Sequence, residues 1–351
     1  MTDVLSLARP DILELQPYQH AAWNPALERM HANEMPWRAT GDTSDAGLNR
    51  YPEPQPRALL ERLARLYDVP TGRILVGRGS DEAIDLLVRA FCRAGQDGIV
   101  ICPPTFGYYS VAARIQGAAV SEVPLRADDF GIDLPAVSKA GRDAKLIFLC
   151  SPNNPTGQLL DEAAILELCA VLAGKALVVV DEAYIEFSAR ASLATRLADF
   201  PNLVVLRTLS KAYALAGARC GALLASEAIV GLLKRILPPY ALPASSVEAV
   251  LRLTAERQRR QAQARIETLR SERERLRARL LALRGVRRVL PSDANFLLTE
   301  FAAPQAALAA GCSAGLLVRD LSTNPRLPGC LRLTVGTPEQ NERLLAALEH
   351  A

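Results

Sequence analysis

A chain of 351 residues, 50% of them hydrophobic, is long enough for two domains or one large domain with a lobe, and has ample material for a core. Its 41 basic and 38 acidic residues leave a net charge of +3, too small a balance to argue for a nucleic-acid or membrane partner. Seven scattered cysteines with no C-x-x-C pair suggest neither a disulfide framework nor a zinc site and fit reduced thiols in a cytoplasm, while His20, His31 and His350 lie near the ends, where no catalytic triad or histidine-rich metal site is expected.

The first residues carry Asp3, Asp11 and Glu14 without a basic start or an apolar run, and nowhere is there a run of about eighteen apolar residues, so neither a signal peptide nor a membrane span is expected. Residues 1–56 read as irregular, with turns at Asn33-Glu34-Met35-Pro36 and Asn49-Arg50-Tyr51-Pro52-Glu53-Pro54. From Arg57 the pattern alternates: a helix near 57–67, a strand at 74–76, then Gly77-Arg78-Gly79-Ser80-Asp81 opening a helix with Ile84, Leu87, Val88 and Phe91 on one face. Strands are expected at 98–102, 145–150, 177–180, 203–207 and 220–225, with helices after Pro104 and near 161–173. Short, wholly apolar strands separated by helices imply an α/β architecture with a mostly parallel sheet buried on both faces. Beyond Ser245 a charged helical stretch runs to about Leu283, with Ile266, Leu269, Leu276, Leu280 and Leu283 at inward spacing. Its arginines are interleaved with Glu256, Glu267, Glu272 and Glu274, so it reads as a solvated connector between lobes. Strands near 295–299, 316–320 and 330–335 form a final α+β lobe.

Ligands of parallel sheets sit beyond the carboxyl ends of the strands. The polar groups in such places are Gly79-Ser80-Asp81, Pro104-Thr105-Phe106, Ser151-Pro152-Asn153-Asn154-Pro155-Thr156-Gly157, Asp181-Glu182-Ala183-Tyr184 and Ser210-Lys211. Singly each has a plain structural reading: Ser80, Asp81 or Asp181 as helix caps, Asn154-Pro155 as a turn, Phe106 as core. Lys211 is the candidate reactive amine, because an amine attacks an aldehyde only when deprotonated, and a buried cationic neighbourhood favours that form. Thr208, Ser210 and Arg219 supply donors and charge for a phosphate beside it. Together the groups match pyridoxal phosphate, a flat ring with an aldehyde, a phenolic oxygen, a ring nitrogen and a phosphate.

Their order and spacing resemble the fold-type I pyridoxal-phosphate aminotransferases over nearly the whole chain, and within them most closely the histidinol-phosphate aminotransferase family. The resemblance is carried by Asn49-Arg50-Tyr51-Pro52-Glu53-Pro54-Gln55-Pro56, Gly79-Ser80-Asp81-Glu82-Ala83-Ile84, Ser151-Pro152-Asn153-Asn154-Pro155-Thr156-Gly157-Gln158, Asp181-Glu182-Ala183-Tyr184-Ile185-Glu186-Phe187, Arg207-Thr208-Leu209-Ser210-Lys211-Ala212 and Leu331-Arg332-Leu333-Thr334-Val335-Gly336-Thr337. It implies a large cofactor-binding domain of residues 30–260 and a smaller domain built from residues 1–29 and 261–351. By the resemblance, Lys211 holds the cofactor aldehyde and shuttles a proton, Asp181 pairs with the ring nitrogen, and Asn154 and Tyr184 donate to the phenolic oxygen. The amides of Ser80 and Asp81, with Ser210 and Arg219, take the phosphate; Phe106, where the family usually has tyrosine, stacks on the ring. Tyr51 matches the tyrosine that reaches the neighbouring subunit's phosphate, which implies a homodimer. Tyr18, Asn33, Asn154, Arg319 and Arg332 are the implied substrate contacts, and no metal is implied. The implied reaction is transamination between L-histidinol phosphate and 2-oxoglutarate in histidine synthesis, with an aromatic amino-acid aminotransferase and a threonine-phosphate decarboxylase as alternatives. A non-catalytic cofactor-binding regulator is disfavoured, since no DNA-binding module precedes the domain.

Overall fold

The computed structural model describes residues 3–21, 24 and 26–349; His350 lies outside them. Continuous apolar runs become strands here because helices cover both sheet faces and leave no wet side for a polar residue. In chain order the elements are α1 (Pro10–Glu14), α2 (Arg57–Tyr67), β1 (Ile74–Gly77), α3 (Ser80–Phe91), β2 (Gly98–Ile101), α4 (Tyr108–Gln116), β3 (Ala119–Glu122), α5 (Leu134–Gly141), β4 (Leu146–Cys150), α6 (Glu162–Val171), β5 (Leu177–Asp181), β6 (Leu203–Thr208), β7 (Gly221–Leu224) and α7 (Glu227–Lys234). They are followed by α8 (Ala244–Leu253), α9 (Glu256–Leu281), β8 (Val286–Val289), β9 (Phe296–Phe301), α10 (Pro304–Ser313), β10 (Arg319–Asp320), β11 (Cys330–Thr334) and α11 (Pro338–Leu348).

The large sheet has the order β1-β7-β6-β5-β4-β2-β3 and is parallel except for β7, which runs antiparallel to both neighbours. Strands β4, β5 and β6 are buried throughout, and alternate residues serve opposite faces. Val178, Val180, Leu203 and Val205 join the core under α2, α5, α6 and α8. Leu177, Val179, Val204 and Leu206 join the core under α3, α4 and α7. A four-stranded antiparallel sheet, β10-β11-β9-β8, forms the second body with α10, α11 and the distal half of α9.

One expectation is corrected. The N-terminal segment does not join the small domain: Val4, Leu7 and Ala8 pack with α3 and α7 on the large sheet, and Arg9 Nη1 donates to the Arg89 carbonyl at 3.1 Å. Their apolar side chains find a continuous apolar surface there. The charged helical stretch is two helices, interrupted at Thr254, whose hydroxyl donates back to the Val250 carbonyl at 2.6 Å. Helix α9 then bridges the bodies, with Ile266 against Phe187 of the large domain and Leu276 and Leu280 in the core of the small one.

Strand β7 brings Gly221 against the loop that opens α3. A Cβ at Gly221 would lie 2.7 Å from Gly79 C and 2.8 Å from Ser80 N, both backbone atoms that cannot turn aside. Gly221→Ala should therefore destabilise the protein by about 1–3 kcal/mol in denaturant titration, through overpacking at that contact. Gly231, exposed in α7 with nothing within 4 Å of an added Cβ, is the control; its alanine variant should be neutral or more stable by about 0.5–1 kcal/mol.

Candidate active site

Beyond the carboxyl ends of β4, β5 and β6 lies a cavity of about 200 Å³, bordered by the start of α3 and the loop before β7. Ser80, Asp81, Phe106, Asn154, Asp181, Tyr184, Ser210, Lys211 and Arg219 all line it. Five segments far apart in sequence thus meet at one place, as strand-end loops of a parallel sheet must. Helix α3 begins without a side-chain cap because its N-cap is Gly79, at φ +86. A Cβ on Gly79 would stand 2.9 Å from Arg219 Nη2, so the glycine leaves a concave cradle between helix amides and a guanidinium, suited to a phosphate. Arg219 itself is held by Asp81, Nη2 to Oδ2 at 2.9 Å, and adopts φ +50. On the other side, Ser210 N donates to Thr208 Oγ1 at 3.1 Å, tightening the turn before Lys211.

Asp181 ends β5 on the α3/α4 face and is 3% exposed. Burial raises its pKa to about 6, against the opposing hydrogen bonds from Tyr109 and Ala183 N. Tyr109 Oη donates to Asp181 Oδ2 at 2.8 Å and Ala183 N to Oδ1 at 3.1 Å. Tyr109 is fully buried, stacked on Phe148 at 4.8 Å and met edge-on by Phe106 at 5.5 Å. Sequence reasoning passed over Tyr109, since a tyrosine inside a helix next to Tyr108 reads as core; a phenol facing a buried strand end was the available signal. Tyr184 is 7% exposed, and burial holds its phenol neutral, hence a donor, with Arg332 opposing that shift.

Lys211 is exposed, so the burial expected around its amine is not present; Nζ stands 5.8 Å from the Tyr184 ring centroid. Arg332 reaches from β11 to donate to Asn154 Oδ1, which leaves the Asn154 Nδ2 group as the donor on that side chain. Arg319 is the cross-strand neighbour of Arg332 and is exposed. The other implied residues do not reach the cavity within this chain. Tyr18 lies edge-on to His20, His20 edge-on to Tyr240, and Tyr240 stacks on Tyr51 at 4.6 Å. Asn33 and Tyr51 line a separate cleft, where Glu34 accepts from Tyr51 N at 2.7 Å and pairs with Arg29 and Arg50.

The model of the aminotransferase class I and II family matches residues 26–348. The chain belongs to that family. It is 47% identical over 353 residues to a histidinol-phosphate aminotransferase of Stenotrophomonas maltophilia (strain R551-3), covering 99% of this chain and 96% of that one. It is 49% identical to a histidinol-phosphate aminotransferase of Xylella fastidiosa (strain 9a5c), covering 98% and 96%. The crystal structure of histidinol-phosphate aminotransferase from Sinorhizobium meliloti in complex with pyridoxal-5'-phosphate is similar to this fold, with a TM-score of 0.76, 27% identity, and coverage of 86% of this chain and 82% of that one.

Asp181 generates a pH dependence whose sign follows from its raised pKa. In the cofactor-free protein near pH 5 the folded state holds a proton on Asp181 that the unfolded chain has released. Stability from this group is therefore present below the unfolded value of 3.8 and lost as pH rises through about 6. Thermal melts from about pH 4 to about pH 8 should show Asp181→Asn gaining on wild type by on the order of 3 kcal/mol. Tyr109→Phe removes a donor that opposes the burial effect, so it should move that transition to higher pH; an unmoved transition would detach Tyr109 from Asp181.

Proposed function

We propose that this aminotransferase transfers the amino group of L-histidinol phosphate to 2-oxoglutarate, giving imidazole acetol phosphate and L-glutamate in histidine biosynthesis, with pyridoxal phosphate as cofactor, as a cytoplasmic homodimer. The observation that carries the reading is the convergence of Ser80, Asn154, Asp181, Tyr184 and Lys211 on one cavity, in a chain nearly half identical to proteins of that name. When bound, the cofactor supplies an aldehyde for the donor's amine and a ring that takes up the electron pair left at the donor's α carbon.

The chain's residues do the rest. Ser80 and Asp81 amides, Ser210 and Arg219 hold the phosphate at the positive end of α3. Asp181, ionised against a cationic ring nitrogen, keeps the proton on that nitrogen. Asn154 Nδ2 and Tyr184 Oη donate to the phenolic oxygen, and Phe106 covers the ring face. Lys211 Nζ, which is exposed, would take the proton from the donor's α carbon and deliver it to the carbon that carried the cofactor's aldehyde. Arg332, half-buried and aided by Arg319, presents a planar fork that accepts either the phosphate of one substrate or the carboxylate of the other. Tyr18, Asn33 and Tyr51 stand together in the N-terminal loops and serve the site across a dimer, Tyr51 towards the partner's phosphate.

One assay separates this from its alternatives: histidinol phosphate, phenylalanine and threonine phosphate offered with 2-oxoglutarate while glutamate and carbon dioxide are followed. Glutamate should form fastest from histidinol phosphate, without carbon dioxide. Lys211→Ala should abolish turnover. Arg319→Ala should lower kcat/KM for histidinol phosphate about ten- to a hundredfold relative to histidinol, the worth of a charge-assisted contact of about 1.5–3 kcal/mol. Equal losses on both substrates would remove Arg319 from phosphate recognition. Mixing inactive Lys211→Ala chains with inactive Tyr51 variants should restore part of the activity, since a mixed dimer then holds one intact site.

A further inference from the structure

The segments that carry Asp181, Tyr184 and Lys211 also carry three charged residues the cavity does not use: Glu182, Glu186 and Arg207. The two-residue period of a strand explains where they go. Asp181 continues the row of Leu177 and Val179 to one face, so Glu182 falls on the other; Arg207 continues the row of Leu203 and Val205 to that same opposite face. There Arg207 Nη2 donates to Glu186 Oε1 at 2.7 Å, and Nη1 lies 3.7 Å from Glu182 Oε2. The guanidinium covers the Tyr67 ring at 4.6 Å. The side chains of Arg207, Glu182 and Glu186 are only 7, 2 and 10% exposed. Glu182 also accepts from Leu193 N at 2.7 Å and from the Ser192 hydroxyl.

For stability alone this is a poor use of a core. Two carboxylates and one guanidinium are desolvated together, and apolar side chains of similar shape commonly serve a fold as well or better. Burial pushes the Glu182 carboxyl up despite Arg207, and burial also works against the Arg207 charge. The two carboxylates outweigh it and hold Arg207 above its usual range. Both shifts are upward, so burial prevails at the Glu182 carboxyl and the acidic neighbours prevail at the Arg207 guanidinium.

What the cluster does have is position. Glu182 follows Asp181 directly, Glu186 sits in the short turn Ile185–Phe187 just after Tyr184, and Arg207 stands on β6 four residues before Lys211. One guanidinium thereby grips both ends of the 182–186 turn, with Tyr184 at its middle, and ties them to the strand that delivers Lys211. We propose that Arg207, Glu182 and Glu186 are positioning residues, a buried charged brace on the sheet face opposite the cavity that sets Tyr184 and Lys211 in place relative to each other. The proposal deepens the pyridoxal-phosphate reading and rests on it.

The test compares full-length wild type with Glu186→Gln and with the triple variant Glu182→Gln/Arg207→Met/Glu186→Gln, which removes every charge of the cluster. The triple variant should melt within about 5 °C of wild type. Its apoprotein should nevertheless bind pyridoxal phosphate about tenfold or more weakly in an absorbance titration, and its kcat with glutamate should fall about tenfold while KM changes less than about threefold. Glu186→Gln, which keeps the shape, should shift the pH at which the bound cofactor's absorbance band changes, because the Tyr184 donor has moved. Wild-type affinity and turnover in the triple variant, or a lower melting temperature as its only defect, overturns the proposal; should the triple variant not fold, an unshifted band in Glu186→Gln overturns it instead. Wild-type protein that takes up no pyridoxal phosphate sinks the cofactor reading and the brace with it. Wild type that takes it up but ignores histidinol phosphate sinks only the substrate assignment, since cofactor affinity and band position are read without that donor.

Discussion

Keeping an acid at the end of a wholly buried strand is the constraint on which the rest of the site depends. Every other residue of β5 is apolar and out of contact with water, and Asp181 inherits that setting. A carboxylate there is costly unless its oxygens are met. One oxygen takes Ala183 N, which fixes the chain's turn out of the strand; the other takes Tyr109, which fixes the start of α4. Tyr109 can reach only because it is stacked on Phe148 of β4 and buttressed by Phe106. The placement of an aromatic on the cavity wall and the ionisation of the acid are thus one packing problem.

The small domain enters the site through a few polar links. Arg332 orients the Asn154 amide from β11. Arg273 of α9 buries its guanidinium between the Phe187 and Ala294 carbonyls, at 3.1 and 3.0 Å, joining the turn after Tyr184 to the start of the small domain. Gly157, at φ +85, lets the loop carrying Asn154 lie directly on Ser292, where a Cβ would stand 2.4 Å from its hydroxyl. Tyr184 itself packs edge-on to Phe296 at 5.2 Å, and Arg332 lies over that same ring at 5.3 Å. Arg332 is therefore tied to side chains that also line the cavity.

The buried strands were legible because a run such as Leu177–Val180 has no other reason to be apolar throughout. Strand β3, Ala119–Glu122, and strand β8, Val286–Val289, were not, because each lies at a sheet edge and shows half or more of its residues to water. The N-terminal helix α1 escaped notice for a related reason: five residues hold too little periodicity to register, and its attachment comes from tertiary contact. Among site residues, those following apolar strands were found from position alone. Tyr109 was not, since its partner lies 72 residues away in the chain. Nor could spacing place Tyr18, Asn33 and Tyr51, whose loops the sheet does not position; only resemblance singled them out.

The charges around the end of β5 complete the picture. Asp181 faces the cavity, and Glu182 and Glu186 face away, against one buried cation, Arg207, that touches only the latter two. Arg207 therefore leaves Asp181 to the cavity side, where burial raises its pKa against the hydrogen bonds from Tyr109 and Ala183 N. A cation held opposite Asp181, as the proposed function requires, would offset that cost at the very group that burial penalises. A ligand bound only by the native chain would in turn draw the folding equilibrium towards it. The acid that weakens the empty protein at neutral pH would then be the one that a bound cation stabilises, so the cost of a buried carboxylate at the end of β5 falls on the empty protein.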